Sequence, residues 1–279
     1  MGPARQSLGM GRVLTAPARH SVVAFNASRH SENKMHDDTV AKKYGFAGGL
    51  VAGVEVFAYM SHVPLATWGR AFVERGRMEG RFLKPVYDGD TACVAVTEAN
   101  GGLDLRIESR GMLCGTGHAT LPDSAPAIKI DDYREATPPP DDERRAIEAD
   151  SYPVGAWLGI RPNTVTREIH ARYLHDIREE DSIHAREGII HPGILLRCAN
   201  WALMQNVRLG PWIHVGSTLQ QIAPGAVGDT LTVRAKVTGN SDRKGHKFVD
   251  LDALVVANGT KPLARILHTA IYAPREAAK

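Results

Sequence analysis

Two tandem α+β units, each a buried helix followed by antiparallel strands, are what this 279-residue sequence predicts. Two observations carry the expectation. Residues 84–91 and 223–230 both contain Pro-x-x-x-Gly-Asp-Thr, and each opens an alternating run, Ala92-Cys93-Val94-Ala95-Val96 or Leu231-Thr232-Val233-Arg234-Ala235. Upstream of each lies a His and then a Gly-bounded apolar segment. His36 leads to Gly48-Gly49-Leu50-Val51-Ala52-Gly53, and His184 leads to Gly188-Ile189-Ile190-His191-Pro192-Gly193. The repeat is far longer than the roughly 20–50 residues of a solenoid period, so it reads as one domain copied and fused. A fused copy is free to lose its chemistry, and one active site per chain is the default expectation.

The elements follow in order. Residues 1–19 carry Arg5, Arg12 and Arg19 without a sustained apolar core, which suits a disordered lead rather than a signal peptide. The first copy, 20–122, opens with the β-leaning Ser21-Val22-Val23-Ala24-Phe25. A polar stretch then ends at His36, and Asp37-Asp38 start a short helix that Gly45 closes. From Leu50 to about His62 the chain is apolar on most faces, as a helix buried inside a sheet must be. β-type runs are expected near 71–84, 91–98, 103–110 and 112–121, with Gly101-Gly102 as a hairpin turn. Pro138-Pro139-Pro140 and the charged residues after them mark a connector over 123–150. The second copy, 151–279, is expected to open with a strand around Thr166 to Leu174. A helix from Gly193 to about Val207 follows, and then strands near 212–221, 230–238, 246–256 and 263–273. Only four positions separate His184 from Gly188, against twelve between His36 and Gly48, so the small helix is missing from this copy.

Bulk properties narrow the function classes. With 43% hydrophobic and 23% charged residues the chain is an ordinary globular one. A net charge of +3, evenly spread, gives no reason to expect nucleic acid as a partner. No apolar run reaches the roughly 18–20 residues of a membrane span, so no membrane role is expected. Cys93, Cys114 and Cys198 lie far apart in apolar runs and suit packed thiols in a reducing, cytoplasmic compartment. No His/Cys spacing suggests a metal, and Gly115-Thr116-Gly117 inside a strand pattern is no dinucleotide fingerprint.

Asn33-Lys34-Met35-His36-Asp37-Asp38, with Tyr44-Gly45-Phe46-Ala47-Gly48-Gly49-Leu50-Val51-Ala52-Gly53, resembles the signature of the MaoC-like (R)-specific enoyl-CoA hydratases. That pattern is Asp-x-Asn-Pro-x-His, a short helix, then Gly-Phe-x-Gly-x-Ile-x-His-Gly. The resemblance implies a double hotdog fold, in which two tandem long antiparallel sheets each wrap a central helix. It extends over nearly the whole chain from about residue 20. It also implies a hydro-lyase acting on an acyl-CoA or acyl-carrier-protein thioester, with no cofactor, and a possible homodimer. The family's catalytic Asp falls on Ser31, its Pro on Lys34 and its second His on Ala52. In the second copy Glu179, Asp181 and His184 take the Asp, Asn and His places.

Hydrating a trans-2-enoyl thioester needs a base for water, a proton for the α-carbon and donors for the developing oxyanion. His36 is the candidate acid/base, with Asn33 orienting it and Glu32 the nearest carboxylate, one position off register. The N–H groups at Gly53 are candidate oxyanion donors, with Gly49, Gly53 and Gly193 allowing close approach of the acyl group. Glu179 with His184 is the rival dyad, and His191 a residue at the helix start. His118 and His268 hold matching places in late strands and suggest a shared structural hydrogen bond. Arg75, Arg77 and Arg81 share one parity, and Arg243, Lys244 and Lys247 cluster at a hairpin; either group could meet CoA phosphates. A hotdog acyl-CoA thioesterase and a catalytically inactive acyl-CoA-binding protein remain as alternatives.

Overall fold

The computed structural model describes residues 19–99, 101–180 and 182–276. The expected lead lies outside them except for Arg19, which opens the first strand; Asp181 also lies outside. In chain order the first copy contains β1 (Arg19–Val23), α1 (Asp38–Lys43), α2 (Gly53–Trp68), α3 (Arg70–Arg75), β2 (Arg77–Phe82), β3 (Thr91–Ala99), β4 (Gly102–Ser109) and β5 (Met112–Thr120). The second contains β6 (Trp157–Leu158), β7 (Asn163–Thr164), α4 (Arg167–Asp176), α5 (Ile183–Glu187), α6 (Pro192–Asn206), β8 (Ile213–Gln221), β9 (Thr230–Arg243), β10 (His246–Ala257) and β11 (Lys261–Ala273).

The repeated Pro-x-x-x-Gly-Asp-Thr motif builds the same turn twice. Gly89 and Gly228 take φ of 76° and 102°, a region that Gly enters without a Cβ penalty. Val51 donates to Val86 O at 2.9 Å, and Ile190 donates to Gly225 O at the same distance. The matching bridges Leu50↔Tyr87 and Ile189↔Ala226 tie each turn to the segment that enters its central helix. These paired bonds make Ala52 and His191 structural equivalents, each the residue that caps its helix.

Antiparallel pairing of β2 with β8 fuses both copies into one sheet, ordered β1-β3-β4-β5-β2-β8-β11-β10-β9-β6. Helices α2 and α6 lie side by side in its concave face. Residues Val54 to Ser61 of α2 are all buried, and the Phe57, Tyr59 and Met60 side chains are among the most deeply enclosed. Each such burial stabilises the fold by roughly 1.5–3 kcal/mol. Glu55 is the exception to apolar packing: it accepts from Arg197 Nε of α6 at 3.0 Å, and Arg197 lies 4.4 Å over the Tyr173 ring. No helix among the described residues is long and apolar enough to cross a membrane. The three cysteines are free thiols, Cys114 and Cys198 buried.

One expected strand and the start of another are helices. Thr166 to Leu174 begins α4, because the Thr166 side chain accepts from Ile169 N and His170, Tyr173 and Leu174 bury one helical face. Residues 71–75 belong to α3, so Arg75 stands off the strand that carries Arg77 and Arg81. His184 sits in the short helix α5. The connector holds one 3₁₀ turn, Ile130–Asp132, and a second turn closed by Glu143 N on Pro140 O, and it is tied to the second copy. Arg144 donates to Met204 O, and Tyr133 to Asp252.

Candidate active site

A cavity of about 310 Å³ opens where the first copy's His loop meets the start of α2 and the beginning of β8. The first copy lines it with Asn33, His36 and Gly53 on one wall and Phe82 and Lys84 on another. The second copy adds Asn200, Trp212 and His214.

His36 is buried and its tautomer is fixed. Nδ1 lies 2.7 Å from Leu50 O, which can only accept, so Nδ1 carries the hydrogen and Nε2 keeps a lone pair. Burial lowers the His36 pKa, against smaller opposing effects of the Leu50 bond and the Glu55 charge, and the ring is neutral at pH 7. Asn33 caps the 3₁₀ turn Lys34–His36 by accepting from Met35 N at 3.1 Å. Its amide also clamps the other copy, accepting from Trp212 N at 3.1 Å and donating to Trp212 O at 2.9 Å. The remaining amide hydrogen faces His36 Nε2 at 3.2 Å. Asn33 thus positions the imidazole and joins the two copies.

The α2 N-terminus has no side-chain cap at Ala52. Glu55 N donates to Ala52 O at 2.9 Å, while helix geometry leaves the Gly53 and Val54 N–H groups without an intrahelical acceptor at the positive end of the dipole. A Cβ on Gly53 would stand 2.8 Å from His214 Nδ1 and 3.1 Å from Phe82, so only Gly leaves this corner open. The arrangement presents a neutral base and a cluster of free backbone donors to one apolar space.

The second copy repeats the framework and fills the space. His184 Nδ1 donates to Ile189 O at 3.0 Å, the counterpart of the His36–Leu50 bond. Here, however, His191 caps α6 by accepting from Gly193 N at 3.0 Å. A Cβ on Gly193 would fall 1.9 Å from Tyr173 Oη, so the Tyr173 side chain of α4 fills the space beside the start of α6. His184 and His191 are 0% exposed, and neither lines the cavity of the first copy.

Several candidate residues are therefore reassigned. Glu32 points away to an exposed pair with Arg144, 3.1 Å apart, because its odd register turns it out of the loop. Glu179 pairs with His62 of α2, not with His184, whose Nε2 has no partner. Gly49 does not line the cavity; a Cβ there would meet His36 O at 2.2 Å, so it serves close backbone packing. Gly193 packs against Tyr173. His118 and His268 share no bond: β2 and β8 register them one residue apart, on opposite sheet faces. His118 pairs with Asp104 at 2.6 Å on the wet side, while His268 is buried beside Ser217 at 2.9 Å. Arg75 donates to Pro122 O, Arg77 pairs with Glu79, and Lys247 pairs with Asp242; none of these lines the cavity, whereas exposed Lys84 does.

His20, His62 and Glu179 bring three potential ligand atoms within 4.8 Å of one another. The two imidazoles stack with centroids 3.7 Å apart and planes 15° from parallel. Their in-plane lone pairs run side by side and do not converge on one ion at the roughly 2.0–2.1 Å that a Zn–N bond needs. The group is a contact between the copies.

Buried neutral imidazoles give the fold an acid limit. Burial lowers His184 to about 4 and His268 to about 3, and burial then His62 lower His20 to about 4. In the unfolded chain each returns to 6.5. The unfolded state therefore binds more protons below pH 6.5, and stability present above that pH is lost as pH falls toward 4. His184 alone accounts for about 3 kcal/mol by pH 4. Urea midpoints should fall steadily between pH 7 and pH 5; an unchanged midpoint would show that these rings are charged in the native state.

The chain is a double hotdog protein: two central helices enclosed by a long antiparallel sheet, with a cavity at the seam. Solved structures share that architecture. A protein of Chloroflexus aurantiacus named a MaoC domain dehydratase superposes with a TM-score of 0.62 at 12% identity, covering 92% of this chain and 93% of that one. A double hotdog protein of Mycobacterium tuberculosis gives 0.58 at 16% identity, with 92% and 94% covered. A protein of Thermobifida fusca named a thioesterase II gives 0.51 at 14%, with 93% and 94% covered. At these identities the likeness is one of fold. No family model matches the sequence, and no curated protein matches it.

The sequence reading missed Trp212, His214 and Asn200, all supplied by the second copy. Their signal was polar side chains inside otherwise apolar segments, Ile213-His214-Val215 and Ala199-Asn200-Trp201.

Proposed function

We propose that the first-copy cavity binds an acyl thioester and adds water to a trans-2-enoyl group, or removes it from the 3-hydroxyacyl product. The carrying observation is the unprotonated Nε2 of His36, held at an apolar cavity that ends on the uncapped N-terminus of α2. Water takes the place of the Asn33 amide hydrogen at Nε2. Its oxygen bonds to C3 as Nε2 receives its proton, and the π electrons move onto the thioester oxygen. The Gly53 end of α2 stabilises that charge. The proton then passes from His36 to C2, the carbonyl re-forms, and the neutral imidazole is restored. Lys84 at the exposed rim is placed for the phosphates of CoA or of a carrier-bound pantetheine.

One observation favours hydrolysis instead. No Asp or Glu is among the described residues that line the cavity, and Ser31 stands where the hydratase pattern has its Asp. A lone imidazole can direct water to the carbonyl carbon as well as to C3, and the proteins that share the fold are named both as dehydratase and as thioesterase. Trans-2-enoyl-CoAs from crotonyl upward, followed by enoyl absorbance with a thiol reagent in parallel, separate the readings. Absorbance loss without free thiol is the expected result. Thiol release would assign a thioesterase, and acyl-CoA binding without either change would assign a binding protein.

A further inference from the structure

Three buried polar atoms around the cavity have no partner: His214 Nδ1, Trp212 Nε1 and Asn200 Oδ1. All three come from the second copy, and all three residues line the first copy's cavity. Buried polar atoms are nearly always hydrogen-bonded. His184 Nε2, His191 Nε2 and Tyr173 Oη of the second copy are also unpartnered, but of these atoms only the first three belong to residues that line the open cavity, where a polar ligand can reach them. His214 Nδ1 is the one placed against Gly53, where a Cβ would come within 2.8 Å of it.

The other side of the His214 ring is held in a chain. Nε2 lies 2.8 Å from Ser217 Oγ, and Ser217 Oγ lies 2.9 Å from His268 Nδ1. The two rings stack with centroids 4.3 Å apart. Ser217 has one hydrogen for two imidazole nitrogens, so it donates to one ring and accepts from the other. When it donates to His214 Nε2 and accepts from His268 Nδ1, the hydrogen of His214 must sit on Nδ1, the ring atom packed against Gly53 at the cavity wall.

Resting on the acyl-thioester reading above, we propose that His214 is a catalytic residue whose Nδ1–H donates to the thioester oxygen beside the α2 N-terminus. Ser217 and His268 are positioning residues that hold this tautomer. As water bonds to C3 and the π electrons reach the oxygen, the Nδ1–H and the Gly53 backbone together receive the charge, and no proton leaves His214. Burial, then the neighbouring His268, lowers the His214 pKa against the opposing effect of a backbone contact with Gly216, and the ring stays neutral, as a donor that keeps its proton requires. The second copy, whose own site is filled, thereby contributes half of the oxyanion pocket of the first.

The test uses the full chain with two readouts: crotonyl-CoA hydration, and the absorption band of bound 2,4-hexadienoyl-CoA, which shifts to the red when the thioester oxygen is polarised. His214→Ala should lower kcat by about 10²–10³-fold, the usual effect of losing one oxyanion donor, with little change in KM. It should also abolish the red shift while dienoyl-CoA still binds. His214→Gln, which keeps bulk and a donor, should recover part of both. Ser217→Ala, which removes a single oxygen, should weaken the red shift, and His36→Ala should keep it while losing turnover. Hydration and a red shift that survive both His214→Ala and Ser217→Ala overturn the inference alone. A wild-type protein that hydrates no enoyl thioester overturns the hydratase reading and the inference with it.

Discussion

Replacing His36 with alanine is expected to lower turnover by about 10²–10⁴-fold, the range for a positioned acid/base group. His184→Ala is expected to leave the rate per folded molecule near wild type. The two residues make the same bond from Nδ1 to a carbonyl ahead of the central helix, at 2.7 Å and 3.0 Å, so a motif alone cannot rank them. What separates them is the space in front of Nε2. The first copy has a cavity and a free helix end there; the second has Tyr173 against Gly193 and His191 on the Gly193 N–H. His184 is 0% exposed, so its removal should cost stability instead. Initial rates normalised to the folded fraction distinguish the two. Equal losses in both variants would mean that each copy works or that the chemistry lies elsewhere.

The acid limb of the rate profile belongs to the same residue. Since burial lowers the His36 pKa, the base stays available below the ordinary imidazole range, and activity should persist until the fold itself weakens.

The fold was legible because its strongest signals are local. The Gly-Asp-Thr turns need a left-handed Gly, and the apolar segments before them bury whole helices, so sequence chemistry and position agree. Residues 166–174 misled because Thr-Arg-Glu-Ile-His-Ala-Arg-Tyr alternates at strand period while also spacing His170, Tyr173 and Leu174 along one helical face; the Thr166 cap settles it as helix. His36, Asn33 and Gly53 were legible from spacing within one loop and one helix start. His214 was not, for a specific reason. A register shift between Thr269 and Ala270, opposite β8, breaks the strand alternation between His214 and Ser217. Residues three apart in a regular strand face opposite sides; the irregularity turns both inward, so that one hydrogen-bonded chain can form. The Glu179–His62 and Glu55–Arg197 pairs were equally hidden, since each joins residues of different copies.

Arg197→Met is expected to cost about 3–5 kcal/mol, a large share of the roughly 5–15 kcal/mol that holds an ordinary domain folded. Glu55 is 1% exposed, its Oε2 already lacks a partner, and Arg197 supplies the hydrogen bond to Oε1. Without the guanidinium the carboxylate is left in a buried interface with no partner on either oxygen. The Tyr173 ring also loses its cation, 4.4 Å away. The double variant Glu55→Leu/Arg197→Met should recover most of the loss, because two apolar side chains leave no charge to desolvate. Urea unfolding of the single and double variants measures the coupling directly; a single variant as stable as wild type would mean that water reaches Glu55. The consequence reaches the site, since α2 opens the cavity with its free N-terminus and α6 lines it with Asn200. A loosened α2–α6 contact should therefore raise KM before it lowers kcat, since the wall contributed by the second copy is displaced while His36 keeps its own bond to Leu50.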